Sequence, residues 1–137
     1  MREIKFRGKS LDSGEWLYGD LIHYEWEPGQ PYPYIQTGME RNEHGIMQTR
    51  GGRVNPSTIG QYTGWTDKDG KEIYEGDIVE FVYVDYPVCE VVFDNGSFMH
   101  REIGEDVSLV QLRYNLCVEI IGNIHDNSEL LKGGNNK

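Results

Sequence analysis

Residues 59–81, IGQYTGWTDKDGKEIYEGDIVEF, constrain the fold more than any other stretch. They set apolar and aromatic residues two apart and interrupt them with Gly and Asp clusters. That pattern predicts a strand over 59–63, a turn at 66–70, a short strand over 71–74, a turn at 75–77 and a longer strand from 78 to 85. No window of the chain sustains a 3.6-residue apolar period, so helical packing is excluded as the basis of the core.

The flanks repeat the same grammar. Ile4 and Phe6 face one way over residues 3–8, with Glu3, Lys5 and Arg7 opposite them. Asp12-Ser13-Gly14 is turn chemistry. Over 15–23, Trp16, Tyr18, Asp20 and Ile22 alternate with Leu17, Gly19, Leu21 and His23. A hairpin is expected between these two strands. Residues 27–52 are the least regular, because Pro28, Pro31 and Pro33 punctuate them. Short strands are expected there only at 34–37 and 46–49. Farther on, residues 89–93 and 98–101 flank Asn95-Gly96, a dipeptide suited to a type I′ hairpin turn. Strands are expected at 108–112 and 118–124, and one helical turn over 127–132 capped by Asn127. The fold class is therefore all-β, built from short antiparallel strands in the manner of a small barrel or sandwich. The expected organisation is a 1–58 N-terminal β-hairpin subdomain containing the irregular segment, a 59–132 barrel-like part, and a disordered tail over 133–137.

Several classes of chemistry are excluded by spacing. If Gly70 stood at position 6 of an EF-hand loop, Trp65 would fall at position 1 and Gly76 at position 12, where oxygen ligands are needed. Gly64 and Gly70 are separated by five residues and Lys71 precedes Glu72, so no phosphate loop is formed. His23, His44, His100 and His125 show no metal-ligand spacing. No GxSxG surrounds any serine. Cys89 and Cys117, the two cysteines, sit in apolar runs and are expected as free thiols. No catalytic residue, metal or cofactor is expected.

Charge narrows the partners. The formal net charge is −10. Residues 1–59 hold 7 Lys/Arg against 8 Asp/Glu, and residues 60–137 hold 6 against 15. Such a field disfavours nucleic acid and fits a protein or basic partner. The absence of a signal-like or membrane-spanning apolar run points to a cytoplasmic protein that does not enter the membrane.

The run Ile59-Gly60-Gln61-Tyr62-Thr63-Gly64, continued by residues 67–79 (DKDGKEIYEGDIV), resembles the signature of the YopX-like proteins of bacteriophages and prophages. The opening REIKFR, the 91–98 hairpin and the closing EIIGNIHDN are similar as well. Trp65 departs from the pattern, standing where a smaller aliphatic residue is usual. The resemblance implies a β-rich fold whose C-terminal part is an SH3-like barrel, and it carries over no catalytic residues.

The resulting expectation is a non-enzymatic protein-binding module that acts on a host or phage protein in the bacterial cytoplasm. Tyr62, Trp65, Tyr74, Tyr83 and Tyr86 are the candidate protein-binding surface, with core packing as the competing reading of each. The alternatives are a small barrel binding single-stranded nucleic acid through Lys5, Arg7 and Lys9, and an enzyme whose chemistry no motif reveals. Strand edges make a homo-oligomer a further expectation.

Overall fold

The computed structural model describes residues 3–83, 85–103, 109–111 and 117–132. Among these residues the chain is all-β, with eleven strands and two short 3₁₀ helices at Pro56–Thr58 and Ser128–Lys132. The predicted tail, 133–137, lies outside the described residues, as do the ends of the strand predicted over 108–112. Clustering of contacts divides the chain into two compact units, Met1–Gln61 and Tyr62–Lys137.

In the first unit, β1 (Phe6–Lys9) and β2 (Trp16–Glu27) form the expected hairpin, with Phe6 opposite Gly19 and Lys9 opposite Trp16. Its turn is held by the Ser10 hydroxyl, which accepts from the N–H groups of Asp12 and Ser13. The chain then makes β3 (Gln30–Arg41) and β4 (Met47–Arg53). The order β4-β3-β2-β1-β5 is antiparallel throughout. Ile35 and Val54 are fully buried. Gly8 lies so close to Val54 that an added Cβ would stand 2.9 Å from the valine Cβ.

Here the structure is more regular than the sequence reading expected. β3 is 12 residues long and incorporates Pro31 and Pro33. The Pro33 carbonyl accepts from Val54 N–H at 3.2 Å, so the polar side of this residue faces β4 and not β2. The β4 partners end at Arg53, opposite Tyr34. Proline therefore sits where the ladder requires an acceptor and no donor.

Strand β5 (Gly60–Thr66) carries the chain into the second unit. Gly60 and Gln61 pair with β1, whereas Tyr62 and Thr66 pair with β6 (Glu72–Tyr74). There follow β7 (Asp77–Phe81), β8 (Cys89–Asp94), β9 (Ser97–Glu102), β10 (Leu109–Gln111) and β11 (Val118–Asn123). Their order is β10-β9-β8-β7-β11. The last strand thus returns beside the first strand of a meander. Strand β7 stops at Phe81, short of the predicted residue 85, which lies beyond the undescribed residue 84; its pairing with β8 reaches Val79 opposite Cys89, and Val82 N–H still donates to the Cys117 carbonyl.

The core of this unit is Ile73, Val79, Phe81, Cys89, Val91 and Val118, with Trp65, Tyr86, Phe98 and Ile120 packed against it. The β8–β9 hairpin turns on Asn95 (φ 50°) and Gly96 (φ 80°), the two positive angles a type I′ turn needs.

Candidate functional site

The signature segment is a set of turns tied into the second unit. Asp67 is buried, and its Oδ1 accepts from the N–H groups of Asp69 (2.8 Å) and Lys71 (2.9 Å). Its Oδ2 accepts from Ile120 N–H on β11 at 3.2 Å. Burial pulls the Asp67 carboxyl upward, but the three backbone donors outweigh it and hold the group below its usual value. Asp77 is likewise buried and accepts from Tyr74 N–H at 2.7 Å. Gly70 and Gly76 take φ of 84° and 96°. This is the turn chemistry expected of the segment, with Asp accepting from backbone and Gly supplying positive φ.

The predicted aromatics separate by burial. Tyr62 and Tyr74 are buried and pack ring on ring at 5.5 Å. Trp65 and Tyr86 pack against the core. Tyr83 is 83% exposed. The candidate cations sit on β1 and just before it. Lys5 pairs with Glu3 at 3.5 Å. The Arg7 guanidinium, buried, lies 4.6 Å from the centre of the Trp16 ring, and Lys9 Nζ lies 5.5 Å from the same ring. Arg7 and Lys9 thus share one indole.

A second aromatic group went unmarked in the sequence reading. It lies toward the tip of the β2–β3 hairpin. Tyr24 opposes Tyr32, and Ile22 opposes Tyr34. The Tyr24 ring meets Tyr34 edge-on at 5.1 Å and Tyr32 at 6.2 Å. The Arg53 guanidinium, from β4, stands 4.2 Å from the Tyr32 ring centre. Beside them Trp26 is 87% exposed. Trp26, Glu27, Gln30, Pro31, Tyr32 and Arg53 line an open depression of about 530 Å³. Alternation of Tyr24 with Trp26 and of Tyr32 with Tyr34 could have revealed this row, but the intervening prolines read as a break.

No group of three or more His, Cys, Asp or Glu side chains suited to a metal occurs among the described residues. The Cys89 thiol is pushed up to about 12 by burial, aided by the Glu102 charge, and it donates to the Pro87 carbonyl. It is a packing group, not a nucleophile at neutral pH. His100 is buried between Phe81 and Tyr86, with ring centroids at 5.2 and 5.7 Å, and neither ring nitrogen has a hydrogen-bond partner among the described residues. Burial lowers its pKa.

The model of the YopX protein family matches residues 5–132. The chain belongs to the YopX family. No curated protein matches it. Among solved structures, this YopX-family chain is similar to protein EF1440 from Enterococcus faecalis, at 26% sequence identity and a TM-score of 0.58. The likeness covers 96% of this chain and 99% of that one. Among the described residues no helix is long and apolar enough to cross a membrane.

Proposed function

We propose that this YopX-family protein is a non-enzymatic protein-binding module of phage or prophage origin, active in the bacterial cytoplasm. The observation that carries the reading is the aromatic row on the β2–β3 hairpin, whose member Trp26 is exposed beside half-buried tyrosines. Trp26 leaves most of its surface in water beside Tyr32 and a cation stacked on it. Trp, Tyr and Arg are the residue types that dominate binding energy at protein interfaces, and here an exposed Trp26 and Arg53 flank a half-buried Tyr32. Tyr83 is the member of the originally expected aromatic set whose exposure suits a second contact.

For the second unit we favour an SH3-like small barrel. The supporting feature is its strand order, a β7–β10 meander with β11 returned to the side of β7. Such barrels commonly serve as recognition modules rather than as catalysts.

The reading is tested by capture from a host lysate with the wild-type chain and with Trp26→Ala. A specific protein retained by the first and lost by the second is expected. Failure to retain any protein, together with turnover of a metabolite by the purified chain, would replace it with an enzymatic reading.

A further inference from the structure

The depression beside Trp26 has a chemistry of its own. Trp26 and Tyr32 offer ring surface, and Pro31 adds an apolar side. Its lining side chains offer several donors: the Trp26 indole N–H and the Arg53 guanidinium, which only donate, and the Tyr32 hydroxyl and Gln30 amide, which donate and accept. The β1 ladder on β2 ends at Gly19 and the β4 ladder on β3 begins at Tyr34, so at the hairpin tip each of the two strands is paired only with the other. Glu27 is the one lining carboxylate, and it makes no hydrogen bond or ion pair among the described residues.

We infer that this depression takes a proline-rich segment of a partner protein that carries a lysine or arginine beside its prolines. The inference rests on the protein-binding reading above and names its ligand. A polyproline II segment has no internal hydrogen bonds and leaves its carbonyls unsatisfied, while proline supplies no N–H. It is an acceptor-rich ligand with flat apolar rings, the complement of a donor-rich aromatic wall. Its low conformational freedom also reduces the entropy lost on docking. Charge sets the direction in which it lies. Arg53 repels the ligand cation and donates to carbonyls, and Glu27 attracts the cation. Asp20 and Glu25 on the same hairpin add negative charge that favours a basic segment over a nucleic acid.

The test uses the full-length chain and calorimetry at low salt. The probes are a set of synthetic proline-rich peptides with arginine at either end, the same peptides with alanine for proline, and a single-stranded oligonucleotide. At least one proline–arginine peptide is expected to bind, and its alanine counterpart to bind about tenfold more weakly or worse. Trp26→Ala should lower affinity by a similar factor, and Trp26→Phe should restore part of it, with β-sheet circular dichroism unchanged in both. Glu27→Gln should weaken the arginine-bearing peptide several-fold and flatten its salt dependence. The inference is overturned if no peptide binds, if the alanine peptides bind equally well, or if the oligonucleotide binds in their place and loses affinity in Trp26→Ala. Should the lysate partner still depend on Trp26 while every peptide fails, the ligand class is wrong and the docking face stands. Should both survive Trp26→Ala, the docking face is wrong as well.

Discussion

Two buried titratable side chains are built in opposite ways, and pH separates them. Asp67 is charged and saturated: three backbone N–H groups converge on its carboxylate. Asp67→Ala removes these bonds and leaves donors stranded around a buried turn. It should cost about 3 kcal/mol in denaturant unfolding. The folded-state pKa is lowered, so this stabilisation is complete above the unfolded value near 3.8 and is lost as pH falls through the folded value. His100 finds no hydrogen-bond partner among the described residues. Its folded pKa lies below the unfolded 6.5, so the unfolded chain takes up a proton that the folded chain refuses, and stability declines as pH falls below about 6.5. His100→Phe should be at least as stable as wild type at pH 7, since it removes two unpaired polar atoms at similar volume. It should also flatten the melting temperature between pH 7 and 5. A wild-type curve already flat over that interval would show that His100 finds a partner in solution.

At the scale of elements, turns carry most of the specification. Asp12-Ser13-Gly14 and Asn95-Gly96 were legible because each holds residues whose backbone preferences suit one turn, and both hairpins form where these residues stand. Strand ends were less legible, since β7 ends at Phe81 and not where its own β propensity does, two residues past the last pair with β8. The β3 strand was hidden for a different reason. Proline forbids donation, but at Pro33 the ladder needs only a carbonyl, and that depends on where β4 ends. The consequence for function was large, because half of the aromatic row, Tyr32 and Tyr34, lies in the segment that looked irregular. The signature allowed both a surface and a core reading of its aromatics, and the structure puts Tyr62 and Tyr74 inside. Gly76 tests its structural role. At φ 96° a Cβ is penalised, and the neighbouring backbone is engaged, with Gly76 N–H donating to the Val91 carbonyl and its own carbonyl accepting from Ile124. Gly76→Val should destabilise the chain by about 1 kcal/mol or more. A variant that melts like the parent yet loses its partner would make this turn a recognition loop instead.

On the scale of the whole molecule, charge is unevenly divided along the chain. Residues 60–137 carry 15 acidic against 6 basic side chains, while residues 1–59 are nearly balanced at 8 against 7. The second unit thus combines a compact apolar core with an acidic composition suited to staying apart from other anions. The first unit supplies the exposed tryptophan, the stacked arginine and the open depression. Membership of the YopX family was readable from residues 59–81 because closely spaced Gly and Asp turns leave few substitutes. The division of labour was not, since burial of an aromatic depends on packing that sequence spacing does not state.

The central claim is that recognition resides on the β2–β3 face and not in the signature. It is tested most directly by measuring unfolding free energy and partner capture side by side for Trp26→Ala. Because Trp26 is 87% exposed, the account predicts unfolding within about 0.5 kcal/mol of wild type together with loss of the captured partner. Unchanged capture at unchanged stability would contradict it.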